Sequence, residues 1–145
     1  MGIVYGVNKT KLLSPIGSNI LNSGLNKAKK CFMYDTYEAS GLVANEVIHV
    51  GDKLPVGSVV TRIDVVFDDL GSGTSIDVGD ADDIDRYIDG ADTASAASSA
   101  SFPNVTCIAG VGYEITGEDG DDQIQIKNLG GTATGTIKVF IEYAI

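Results

Sequence analysis

Tryptophan is absent from this chain of 145 residues, histidine occurs once, cysteine twice and proline three times. Each scarcity removes a kind of chemistry. With six tyrosines, four phenylalanines and no indole, the chain lacks the usual platform for a sugar ring. The single histidine, His49, sits in the alternating stretch VIHVGD, and no G-x-S-x-G elbow surrounds any serine. Nothing in the sequence brings Cys31 or Cys107 to His49, so a Cys/His nucleophile has no support. Two cysteines make neither a metal cluster nor a disulfide framework; each reads as a small apolar residue at the base of a strand, with a bridge between them left open. No stretch approaches the roughly 18 apolar residues of a membrane span, and no basic segment precedes an apolar run of signal-peptide length. The chain is expected to act as a soluble product, with no membrane partner.

Acidic residues are missing from the start of the chain, where basic ones gather. Residues 1 to 34 carry Lys9, Lys11, Lys27, Lys29 and Lys30 and no aspartate or glutamate, so this segment holds +5 of a net −10 and the rest holds −15. The overall balance excludes general binding to a phosphate backbone, hence no nucleic-acid partner. The leader MGIVYGVNKTKLLSPIGSNILNSGLNKAKK has little periodicity. Residues 1–30 are expected to be an extended arm that gains order on a partner or a neighbouring subunit, and residues 31–145 a single domain.

What is present is glycine, eighteen of them, and short alternating segments, which together indicate an all-β chain. In SVVTRIDVVF (58 to 67), Val59, Thr61, Ile63, Val65 and Phe67 share one face; in GTIKVFIEYAI (135 to 145), Ile137, Val139, Ile141, Tyr143 and Ile145 do the same. The last segment is expected inside a sheet, so trimming it should destabilise the fold. Shorter strands are expected in CFMYDTYE (31 to 38), ANEVIHV (44 to 50), TSIDV (74 to 78), VTCIAGVGYEI (105 to 115) and DQIQIKN (122 to 128), divided by turn signals. Seven or eight strands at this spacing predict an antiparallel β-sandwich. One short helix is predicted over ADDIDRYID (81 to 89), with Ile84 and Ile88 on one face, Asp80 or Asp82 as cap, and Asp82 and Arg86 as a weak surface pair.

That helix lies within DDLGSGTSIDVGDADDIDRYIDGAD (68 to 92), which holds nine of the twenty acidic residues, all aspartates. An EF-hand loop fails here: with Gly90 at position 6, Tyr87 falls at position 3 and Ala96 at position 12. Calcium held by Asp77, Asp80, Asp82 and Asp83 is the alternative to a solvated cap. A glycosidase pair needs two carboxyls tuned apart across a cleft, which exposed aspartates do not offer. Gly71-Ser72-Gly73 lacks the third glycine of a dinucleotide fingerprint and the lysine of a P-loop, and reads as a hairpin-type turn. No cofactor is implied.

The run KLPVGSVVTRIDVVFDDLGSGTSIDVGDADDIDRYIDGAD (53 to 92) resembles a pattern in small head proteins of tailed bacteriophages. There an apolar "LP-G" turn leads to a strand, then to "LG-G-T-x-x-VGD", then to an aspartate-rich "D-D-x-D-R-Y-I" segment and alanines and serines. ATGTIKVFIEY (133 to 143) resembles their final strand, and YDTYEASGLVANEVIHVGDKLP (34 to 55) is similar in kind. The resemblance covers about two-thirds of the chain. It implies a decoration, or cement, protein: a non-enzymatic jelly-roll sandwich on the capsid exterior of the virion, made in the host cytoplasm, self-associating as a dimer or trimer and bridging major capsid proteins. Lys9, Lys11, Lys27, Lys29 and Lys30 would then steer docking by charge, with Ile16, Ile20, Leu21 and Leu25 as apolar anchors. A receptor- or glycan-binding module of a fibre or tail is the alternative, and a small calcium-dependent enzyme or binding module is a further one.

Overall fold

The structure, a computed structural model, describes residues 29–95 and 98–145. Eight strands form: β1 (Lys30–Leu42), β2 (Val47–His49), β3 (Val59–Phe67), β4 (Thr74–Gly79), β5 (Ile88–Asp92), β6 (Ser98–Phe102), β7 (Gln125–Gly130) and β8 (Ala133–Ala144). They make two antiparallel four-stranded sheets, in the orders β1-β8-β3-β6 and β2-β7-β4-β5. The predicted sandwich is therefore observed.

Alternation explains why the core lies between the sheets. Ile63, Val65 and Phe67 of β3 and Ile137, Val139 and Ile141 of β8 turn inward from one sheet; Ile76, Val78 and Ile126 turn inward from the other. Each such side chain contributes about 1.5–3 kcal/mol when fully buried. Loop residues Leu54, Leu70, Ile115 and Ile124 close the ends.

Several expectations need correction. A bulge between Val60 and Arg62 shifts β3 against β8, so Val59 is buried as expected but Val60 joins the core cluster in place of Thr61. The displaced Thr61 hydroxyl instead donates to Glu142, 2.8 Å from Oε1. A bulge inserts one residue without breaking the sheet, at the cost of local parity. At the end of β8, Tyr143 is half-buried and packs on the core, but Ile145 is exposed. Residues 105 to 115 do not form a strand; they are loop with one 3-10 turn, Ile108–Gly110, and a single bridge from Glu114 to Val59. Gly71-Ser72-Gly73 does turn, with the Thr74 hydroxyl donating to the Gly71 carbonyl at 2.8 Å, but it links one sheet to the other and not two paired strands.

The helix over 81–89 is absent, and β5 takes its last two residues. The reason is tertiary. Arg86, Tyr87 and Ile88 are buried consecutively, which no helical face permits. The Tyr87 amide donates to the Val78 carbonyl at 2.9 Å, folding the segment back across the end of β4. Gly79 allows this approach, since a Cβ there would collide with the carbonyl of Asp83.

Strand ends fix the polarity of the sandwich. Lys30 at the start of β1 pairs with Ala144 at the end of β8, which pairs with Val59 at the start of β3. The connections 50–58, 80–87 and 103–124 meet at the same end, joined by backbone bonds from Gly57 to Ile115 (2.8 Å), Leu54 to Asp122 (2.7 Å) and Ala81 to Gly120 (3.4 Å). This is called the loop end below.

Candidate functional site

Of the predicted arm residues, Lys9, Lys11, Ile16, Ile20, Leu21, Leu25 and Lys27 lie outside the described residues. Lys29 and Lys30 are described. Lys29 exchanges two backbone hydrogen bonds with Ile145, at 2.9 and 3.0 Å, and the Lys30 ammonium meets Glu142 Oε1 at 2.9 Å. The preceding 28 residues therefore join the sandwich at its loop end.

The aspartate cluster is organised around Arg86. Its Nε donates to Asp80 Oδ2 at 2.6 Å, and its Nη2 donates to Asp80 Oδ1 at 3.3 Å and Asp82 Oδ2 at 2.7 Å. The guanidinium carbon stands 3.6 Å from the centroid of the Tyr113 ring. Asp80 Oδ1 also accepts the amides of Asp82 (3.1 Å) and Asp83 (2.9 Å). The cap role expected of Asp80 is thus served on a turn, and the Asp82 to Arg86 pair forms, but with the Arg86 side chain only 7% exposed instead of on the surface. Burial opposes the guanidinium charge, yet the Asp80 bonds outweigh it and raise the Arg86 pKa further.

Of the four carboxyls weighed as calcium ligands, Asp80, Asp82 and Asp83 gather on the Arg86 guanidinium, and Asp77 faces away from them. Asp80 is committed to Arg86 and two amides, while Asp77 Oδ1 accepts the Gly90 amide at 2.8 Å. Burial pushes the Asp77 carboxyl up. Asp83 is also raised, first by a hydrogen bond with Asp85 and then by burial. No group of three or more His, Cys, Asp or Glu with metal-holding geometry occurs among the described residues.

Below Arg86 lies a second polar knot that sequence reasoning missed. Asp121, fully buried, accepts from the Thr116 amide (2.8 Å) and hydroxyl (2.7 Å), the Tyr113 hydroxyl (2.9 Å) and the Gly117 amide (2.8 Å). Burial pushes this carboxyl up, but the four donors together hold it below its ordinary value. Gly110 completes the junction, because a Cβ there would strike the Arg86 carbonyl. These knots fasten the loop end.

Two surfaces stand out instead. At the loop end, Val105 is 94% exposed, Ile108 74% and Val56 71%. The sequence carries a trace of this: residues 93 to 113 contain no charged side chain, in a chain otherwise rich in aspartate. The second surface is the outer face of the β1-β8-β3-β6 sheet, where Phe32, Tyr34, Val66 and Phe140 are exposed. Register places Tyr34 opposite Phe140, with ring centroids 4.8 Å apart. A shallow groove of about 290 Å³ runs between Phe32, Arg62, Asp64, Phe140 and Glu142. The alternation of β8 already placed Phe140 outward; the exposure of Phe32 and Tyr34 depended on which strand lay beside them.

The nucleophile candidates are dispersed. His49 is exposed on β2, in the other sheet. Both cysteines are free; Cys107 is buried in loop rather than at a strand base, its thiol donating to the Asp85 carbonyl at 3.2 Å. Burial pushes that thiol's pKa up, away from the thiolate a nucleophile needs.

No protein-family model matches the sequence, and no curated protein matches it. Among solved structures, the chain is similar to a chain of the capsid asymmetric unit of cyanophage Pam1, at 22% identity and TM-score 0.63, covering 81% of this chain and 86% of that one. It is also similar to a chain of the capsid of Ralstonia phage GP4, at 18% identity and TM-score 0.55, covering 82% and 84%. At these identities the likeness establishes a shared fold. Because more than four-fifths of each chain is covered in both cases, it is a likeness of whole chain to whole chain.

Proposed function

We propose that this chain is a non-enzymatic structural protein of a phage virion, which docks on the outer surface of the assembled capsid and stabilises it by bridging major capsid proteins. The observation that carries the reading is the whole-chain fold likeness to two capsid chains. The strand order supports a jelly roll: β1 pairs with β8, β2 with β7, β3 with β6 and β4 with β5, as in one long antiparallel hairpin rolled about its middle.

The loop end suits the task. The basic leader joins the sandwich at the end where Val56, Val105 and Ile108 are exposed, so one approach engages both. A leader that spreads over a neighbour makes a large contact from few residues, and Lys9, Lys11, Lys27, Lys29 and Lys30 favour acidic patches. Ile16, Ile20, Leu21 and Leu25 supply the apolar anchors. Copies that associate with one another at several points on a capsid gain avidity from weak individual contacts. The Arg86 and Asp121 knots are then scaffold, holding the loops that present the apolar tips.

The test is co-sedimentation with capsids stripped of accessory proteins, using the intact chain and one beginning at Lys29, each with and without a chelator. Saturable binding that requires residues 1 to 28 and ignores the chelator is expected. Binding that the chelator abolishes would transfer the role to a bound cation. An intact chain that leaves capsids alone but marks a glycan array would make it a receptor module.

A further inference from the structure

Like copies of a chain at −10 repel wherever their acidic surfaces meet, so self-association needs a face on which charge is balanced. The outer face of the β1-β8-β3-β6 sheet is such a face. Lys30 is paired with Glu142 at 2.9 Å and Arg62 with Asp64 at 2.6 Å. Lys138, exposed on the same face, has no ion-pair partner among the described residues. Its centre is apolar, formed by the Phe140 and Tyr34 rings in contact with each other, and Phe32 is exposed two residues before Tyr34 on β1.

The arrangement along β8 is self-complementary. Lys138 and Glu142 stand two residues before and two residues after Phe140, and strand alternation points all three outward. A two-fold axis lying in the face, across the strands at Phe140, sets Lys138 of each copy against Glu142 of the other. The same operation brings the two Tyr34 and Phe140 pairs together at the centre. An isologous contact requires this kind of symmetry, in which one patch meets itself.

We propose that a second copy of this chain docks on this face, forming a two-fold pair centred on Phe140 and Tyr34 and registered by reciprocal Lys138 to Glu142 contacts. The proposal deepens the self-association within the virion reading and rests on that part of it. It leaves the loop end and the leader of both copies open to a capsid. Central aromatic residues carry most of the affinity in such contacts, and opposed charges set the register.

Sedimentation velocity over a concentration series of the full chain tests it. A two-copy species is expected, with Phe140→Thr weakening association by at least about thirtyfold, the effect of losing a central anchor. Lys138→Glu, which faces Glu142 with a like charge, is expected to weaken it by about tenfold or more, and the triple swap Lys138→Glu, Glu142→Lys and Lys30→Glu, which keeps the pair within each copy, to restore it. Phe32→Thr serves as a second aromatic variant, with thermal unfolding confirming that each chain is folded. A wild type that stays single at all concentrations, a three-copy species, or association indifferent to Phe140 and Phe32 would overturn the pairing. Running the same proteins against capsids separates the two claims: a single-copy wild type that pellets with capsids sinks the pairing alone, whereas a two-copy chain that never pellets sinks the capsid role alone.

Discussion

In the loop between β4 and β5, an arginine keeps only 7% of its side chain in solvent; on β1, a phenylalanine keeps 78% of itself there. The two regions invert the ordinary placement of their residue types, and they do so for opposite purposes. Arg86 is held by two aspartates and an aromatic ring, so its charge is spent within the molecule. Phe32 spends little within the molecule, and its apolar area stays available to something else. Around Arg86, charge is therefore a means of fastening loops, while on β1 apolar surface is left facing solvent.

Removing one partner from each region should separate them sharply. Arg86→Ala leaves the fully buried Asp80 carboxylate without its cation, and the loss should reach about 3–5 kcal/mol, read by chemical denaturation. A loss below about 1 kcal/mol would mean that the ion pair is ornamental and the contrast empty.

Asp121→Asn should cost about 1–3 kcal/mol at neutral pH, because the amide cannot accept from all four donors. The sign with pH follows from the depressed carboxyl. Its stabilisation is complete above the ordinary value of 3.8 and is lost as pH falls through the lower folded value, so wild type and variant should converge only in acid. Convergence already at pH 6 would refute the assignment. Tyr87→Phe should be neutral or gain up to about 1 kcal/mol, since the buried Tyr87 hydroxyl has no hydrogen-bond partner among the described residues; a clear loss in melting temperature would reveal one. Smallest of all, Phe32→Thr should alter stability by no more than about 0.5 kcal/mol, measured on the same denaturation curves. A large effect there would make Phe32 a core residue in disguise.

Much of the sandwich was legible because its central strands bury one face. Ile63, Val65 and Phe67 on β3 and Ile137, Val139 and Ile141 on β8 alternate as the pleat demands. The two strands that escaped notice, β5 and β6, are edges of their sheets, with sequences IDGAD and SSASF. Edge strands are held by backbone bonds on one side and need no regular apolar pattern, and polar edges discourage unwanted pairing. The misplaced helix has a different cause: the spacing of Ile84 and Ile88 suited a helix, but burying Arg86, Tyr87 and Ile88 in succession did not. The sequence showed that Asp82 and Arg86 could meet; it could not show that Asp80 and Tyr113 would close over the arginine from elsewhere. Phe140 was legibly outward, whereas its company with Tyr34 needed the pairing of β1 with β8.

That pairing also sets the order of events during synthesis. β8 lies between β1 and β3, so neither neighbour has its central partner until residues 133–144 have been made. β3 and β6 can pair beforehand, but the first sheet closes only when β8 inserts between β1 and β3, and until then the apolar face of Ile63 and Val65 lacks its neighbour strand.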